Sequence, residues 1–159
     1  MQLMQTININ TRYTRSIHLE RDHASGWIPY TPTGLATHVL TRISEALDTE
    51  RTPRSFALIG PYGSGKSAFG LYLAQLLGDS RKDSTLTALS VLASVDPQLS
   101  RQIHEAKAGE LGFIAITLTG SPAILGKSLL QAMMKGVTDF FGKEEAVAGA
   151  ILARIEKTL

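Results

Sequence analysis

A chain of 159 residues, 43% hydrophobic and 19% charged, carries enough apolar material for one compact domain with a core, which excludes a disordered tail. Sixteen basic against fourteen acidic residues leave a formal charge of +2, so charge allows a DNA partner without arguing for one. The absence of cysteine excludes disulfides, thiolate zinc sites and cysteine nucleophiles, and is compatible with the cytoplasm.

Residues 1–10 have no basic run followed by an apolar stretch, and no window approaches the roughly 18 uninterrupted apolar residues of a membrane span, so the chain reads as soluble, untargeted and without a membrane partner. In residues 6–19 β-branched and aromatic residues alternate with polar ones through Ile7, Ile9, Tyr13 and Ile17, which predicts one or two short strands. Gly26, Pro29 and Pro32 then impose a loop, with Trp27, Ile28 and Tyr30 as its apolar bulk. Leu35, Val39, Leu40, Ile43 and Leu47 recur at helical spacing and predict a helix over about 33–47 with Thr33 as N-cap.

After the polar stretch 48–54, Phe56-Ala57-Leu58-Ile59 is apolar on both faces and closed by glycine, the pattern of a buried strand in a parallel sheet. A helix bearing Phe69, Leu71, Tyr72, Leu73, Leu76 and Leu77 follows and ends at Gly78 and Asp79. Residues 86–108 are helical in pattern but divided at Asp96-Pro97, where aspartate serves as N-cap and proline as first-turn residue. Residues 113–119 read as a second buried strand, Ser121-Pro122 as the start of a helix carrying Leu125, Leu129, Leu130 and Met133, and 143–159 as an alanine-rich helix with Val147, Ile151 and Ile155 on one side.

The segment that carries chemistry is Gly60-Pro61-Tyr62-Gly63-Ser64-Gly65-Lys66-Ser67. Gly60, Gly65, Lys66 and Ser67 fit G-x-x-x-x-G-K-[ST], a pattern that a random chain of this length matches only about once in a few hundred. The match lies between an apolar run and an amphipathic helix, as a P-loop requires. Gly60, Gly63 and Gly65 let the backbone wrap around phosphate, so that successive N–H groups face the anion beside the positive end of a helix that continues through Ala68. Lys66 is the expected catalytic cation between the terminal phosphates, and Ser67 the expected Mg²⁺ ligand, with phosphate oxygens and waters completing the octahedron. Pro61 stiffens the loop, and Tyr62 lies over the phosphates or faces solvent. The implied cofactors are ATP and Mg²⁺.

With this loop preceded by Trp27-Ile28-Pro29-Tyr30-Thr31-Pro32 and a helix at 33–47, the chain over roughly residues 15–135 resembles the start of an AAA+-type ATPase. It looks most like the origin-recognition-like branch and the large bacterial ATP-binding proteins of phage-defence operons. That resemblance implies an α/β fold, a three-layer αβα P-loop NTPase with a parallel sheet, here incomplete and preceded by a short N-terminal β segment. It divides the chain into strands and a base-binding loop at 1–32 and the first part of the NTPase domain at 33–159. It also implies adenine contacts from Ile28, Pro29, Tyr30 and Thr31, although an aromatic cluster there equally serves to pin the loop to the core.

Hydrolysis in such proteins needs an apolar strand ending in an acidic residue, and no segment supplies one: Asp96 reads as a helix cap, and Asp139, Glu144 and Glu145 as solvated charges. The expectation is therefore an N-terminal piece of a larger ATPase that couples hydrolysis to remodelling of DNA or a protein assembly. The alternative is a nucleotide-gated binding or scaffold module that does not hydrolyse. His18, His23, His38 and His104 are too scattered for a metal site, and Ser64, Ser67 and Ser121 lack a hydrolase context. Arg51, Arg54, Arg81 and Lys82 sit near helix ends, where solvation or the helix dipole accounts for them.

Overall fold

Helical periodicity along the chain becomes helix wherever it can be followed. The computed structural model describes residues 17–22, 29–48, 53–107, 111–120, 124–142 and 146–157. Among them the regular elements are α1 (Leu19–Asp22), α2 (Gly34–Asp48), α3 (Lys66–Leu77), α4 (Asp83–Val95), α5 (Pro97–Ala106), α6 (Leu125–Phe141) and α7 (Ala146–Glu156).

Local chemistry sets the ends of these helices. Ala36 N donates to Thr33 Oγ1 at 3.3 Å, so Thr33 satisfies one of the first-turn amides of α2. Asp96 serves two helices at once. Its N–H donates to Leu92 O (2.7 Å), closing α4, and its Oδ1 accepts from Leu99 N (2.9 Å), opening α5 with Pro97 in the first turn. Replacing Asp96 with alanine removes that side-chain acceptor and is expected to lower stability by about 1 kcal/mol, read as a lower urea midpoint at unchanged slope.

The core lies where α2, α3, α4 and α5 meet. Leu40, Tyr72, Leu76, Leu92, Leu99 and Ile103 are essentially withdrawn from solvent there. Two hydroxyls enter this core with partners: Tyr72 Oη donates to Ala88 O (3.0 Å) and Ser100 Oγ to Leu89 O (3.0 Å), which avoids the penalty for a buried unpaired polar group. A second apolar contact joins α6 to α7 through Val137, Ala148 and Ile155. Lys82 ties the start of α4 to the end of α6, donating to Asp139 O (2.9 Å) with its ammonium 5.7 Å from the Phe140 ring centre.

The expected α/β sheet does not form: among the described residues there is helix and no paired strand, and the three-layer αβα arrangement is corrected to an all-helical one. Phe56, Leu58 and Ile59, expected inside a parallel sheet, are exposed, Ile59 at 95%. The run 113–119 is likewise not part of any strand ladder among the described residues. An apolar run records what composition can bury, whereas a strand exists only when a neighbour at a distant position supplies the facing N–H and C=O groups. Burial is met here by helix on helix.

The same finding overturns the P-loop NTPase and AAA+ resemblance at the level of fold, since that fold is defined by helices covering a parallel sheet. Most of the expected N-terminal β segment, residues 1–16, lies outside the described residues; at its end Leu19–Asp22 form the short helix α1, where the sequence predicts strand and loop, and His18 N donates to Asp22 Oδ2 (2.8 Å). Among the described residues no helix is long and apolar enough to cross a membrane.

Candidate phosphate-binding loop

Residues 60–65 lead straight into α3, and two glycines shape the turn. Gly63 and Gly65 have φ of 79° and 81°, while Ser64 between them has negative φ, so the sign of φ alternates through the turn. Any L-residue at either glycine would be strained. Gly60 is tight for a different reason, since a Cβ there would meet Ser64 Oγ at 3.0 Å. Gly65 is also the residue before the first turn of α3, and no side chain caps that helix. The amides of Lys66, Ser67 and Ala68 therefore have no intrahelical acceptor, and the helix presents its positive end to the loop.

Lys66 folds back over this turn. Its Nζ donates to Pro61 O (2.7 Å), Gly60 O (2.8 Å) and Ser64 Oγ (3.2 Å), so the ammonium is held at the loop rather than extended into solvent. Ser67, one residue on, is exposed on the first turn of α3. Pro61, Tyr62, Gly63 and Ser64 are exposed as well, Tyr62 at 95%, and Ala68 is half-buried. Among the described residues the loop is open to an incoming anion. No group of three or more histidine or carboxylate side chains able to hold a metal occurs among the described residues. The one expected metal donor, the Ser67 hydroxyl, suits Mg²⁺ taken up together with phosphate oxygens and waters, not a cation caged by protein.

The expected base-binding segment is only partly brought to the loop. Ile28 lies outside the described residues; Pro29 and Tyr30 are half-buried and Thr31 is exposed. The Tyr30 ring stacks on Tyr72 (centroids 4.8 Å, planes 28° apart) and meets Phe69 edge-on at 6.2 Å. Phe69 is one turn below Lys66, so Tyr30 sits near the loop while its ring contributes to the core. Burial raises the pKa of both phenols, making them weaker acids, and at Tyr72 the nearby Tyr30 adds to that rise.

A second polar cluster at the far end of α3 escaped the sequence reading. Asp79 is buried and chelated by Arg81, with Nη2 to Oδ2 at 2.8 Å, Nε to Oδ1 at 3.0 Å and the Arg81 amide to Oδ1 at 2.9 Å. The Arg81 side-chain bonds hold the Asp79 carboxyl below the usual carboxylate range against the opposing effect of burial. Lys107, just past α5, is 4% exposed and its Nζ has no hydrogen-bond partner among the described residues. Burial lowers that amine to about 8, with Asp79 pulling weakly the other way. No local pattern marks Lys107, because its burial comes from elements distant in sequence.

Comparison with protein-family models, with curated proteins and with solved structures finds no match for this chain.

Proposed function

We propose that the protein binds the polyphosphate of a nucleotide, ATP with Mg²⁺, at residues 60–67. The observation that supports this most is the combination of an alternating glycine turn with the Lys66 ammonium held on it at the uncapped start of α3. Phosphate oxygens would take the loop and first-turn amides, Lys66 would neutralise the terminal phosphates, and Ser67 would share a Mg²⁺ with them. Tyr30, packed one turn below the loop, marks the side on which residues 29–31 would meet the base. We place this activity in the cytoplasm, where Mg-ATP is plentiful and a chain without cysteine meets no difficulty.

Calorimetric titration of the folded protein with Mg-ATP tests the reading. Heat of binding at a single site is expected, weakened about 100-fold in Lys66→Ala with helical circular dichroism unchanged. No binding by the unaltered protein, or equal binding by the variant, would overturn it. Phosphate release followed in the same samples separates an ATPase acting on DNA or a protein assembly from a module that nucleotide only gates.

A further inference from the structure

The ammonium of Lys66 is fully engaged within its own loop. A lysine ammonium has three N–H donors and no acceptor, and three acceptors face this one: Pro61 O at 2.7 Å, Gly60 O at 2.8 Å and Ser64 Oγ at 3.2 Å. The three contacts are unequal. Both carbonyl bonds are as short as charge-assisted bonds are, whereas the hydroxyl contact sits at the long end of the N–H···O range. Ser64 owes its place to its neighbours. Its amide donates to Pro61 O at 3.4 Å across the turn, and its side chain reaches back over Gly60, where a Cβ would stand 3.0 Å from Oγ. Gly63 and Gly65 set the backbone on either side through their positive φ, so the shape of the turn does not depend on the hydroxyl.

We propose that Ser64 is a positioning residue that competes with phosphate for Lys66: its hydroxyl is the partner the ammonium gives up when a phosphate oxygen binds. The inference rests on the reading of residues 60–67 as a phosphate-binding loop and adds what tunes the affinity of that loop. With all three N–H groups committed, Lys66 can donate to a phosphate only by releasing one of them. Exchanging the neutral hydroxyl for a charged oxygen replaces the weakest contact with a charge-assisted one. Exchanging either carbonyl would instead free the lysine from the turn that aims it. Ser64 Oγ therefore subtracts from every contact that Lys66 makes with phosphate, and deleting it strengthens binding. A serine that touches the phosphate itself would give the opposite sign.

Calorimetric titration of Ser64→Ala with Mg-ATP, beside the unaltered protein and Ser64→Thr, tests that sign. Expected is a Kd about 3-fold lower in Ser64→Ala, at the weak end for a hydrogen bond because the loop is exposed, and unchanged in Ser64→Thr, which keeps the hydroxyl. Nitrogen NMR of the Lys66 ammonium gives a second readout. Ser64→Ala should move its resonance in the protein alone, and the difference from the unaltered protein should vanish once both are saturated with Mg-ATP. Equal or weaker binding by Ser64→Ala, or a resonance difference that persists at saturation, would overturn the proposal and leave the phosphate-binding reading standing. No binding of Mg-ATP by the unaltered protein would overturn both.

Discussion

Gly112→Ala is expected to destabilise the protein by about 3–4 kcal/mol, seen as a fall of roughly 10 °C in Tm. Gly112 has φ of 74°, which costs an L-residue about 1–2 kcal/mol, and its Cα faces the end of α3 at a distance that leaves no room. A Cβ there would stand 2.2 Å from Gly78 O, 2.8 Å from Gly78 C and 2.9 Å from Leu77 O. All three are backbone atoms, so relief requires the chain to move, and movement breaks the Phe113 N to Leu77 O bond. Gly126→Ala in α6 is the control. It has open space around it and ordinary helical backbone, so alanine should be neutral or stabilising by up to about 1 kcal/mol. Equal Tm values for the two variants would show that the crossing of residues 112–113 over α3 is not as close as described.

Lys107→Met should raise stability by about 3 kcal/mol at pH 7 and by progressively less above pH 8. The amine is buried without a hydrogen-bond partner among the described residues, and its fall from 10.5 to about 8 means that the folded state binds the proton less tightly than the unfolded chain. The sign follows from proton counting. Between about pH 8 and 10.5 the unfolded state holds more protons, so stability rises with pH; below pH 8 both states are protonated and the full penalty of burying the charge remains. Methionine matches the length and apolar stem of lysine without its charge. Asp79 is not stranded by the change, because Arg81 already chelates it. Urea unfolding at pH 7 and pH 10 tests this: the unaltered protein should gain stability between the two, and the variant should lack that gain.

The glycine turn at residues 60–65 was legible in its shape because that shape is a local matter. Gly63 and Gly65 adopt positive φ for reasons contained in their own lack of a Cβ, and Lys66 reaches carbonyls only five and six residues away. The helices were legible for the same reason. A 3.6-residue period names its own buried face, and Thr33 and Asp96 cap helices whose first turns lie beside them in sequence. Tyr30 was legible as an aromatic near the loop, but its stack on Tyr72 depends on how residues 29–33 lie across α3.

The sheet was where local reading failed. Residues 56–59 and 113–119 are apolar enough to be buried strands, yet a strand needs a partner edge, and which segment comes alongside is decided by the packing of everything else. Packing of α2 to α5 onto one another instead buries the core, and among the described residues neither run has a ladder. Lys107 and Gly112 belong to the same class: a lysine after a helix and a glycine before an apolar run carry no local sign of burial or contact. By itself, then, the sequence determined helices α2 to α7, the caps at Thr33 and Asp96 and the glycine turn with its lysine, because their causes act within a few residues. The tertiary structure alone decided the absence of a sheet among the described residues, the buried amine beside Asp79 and the close crossing at Gly112, because each depends on which distant backbone arrives next to it.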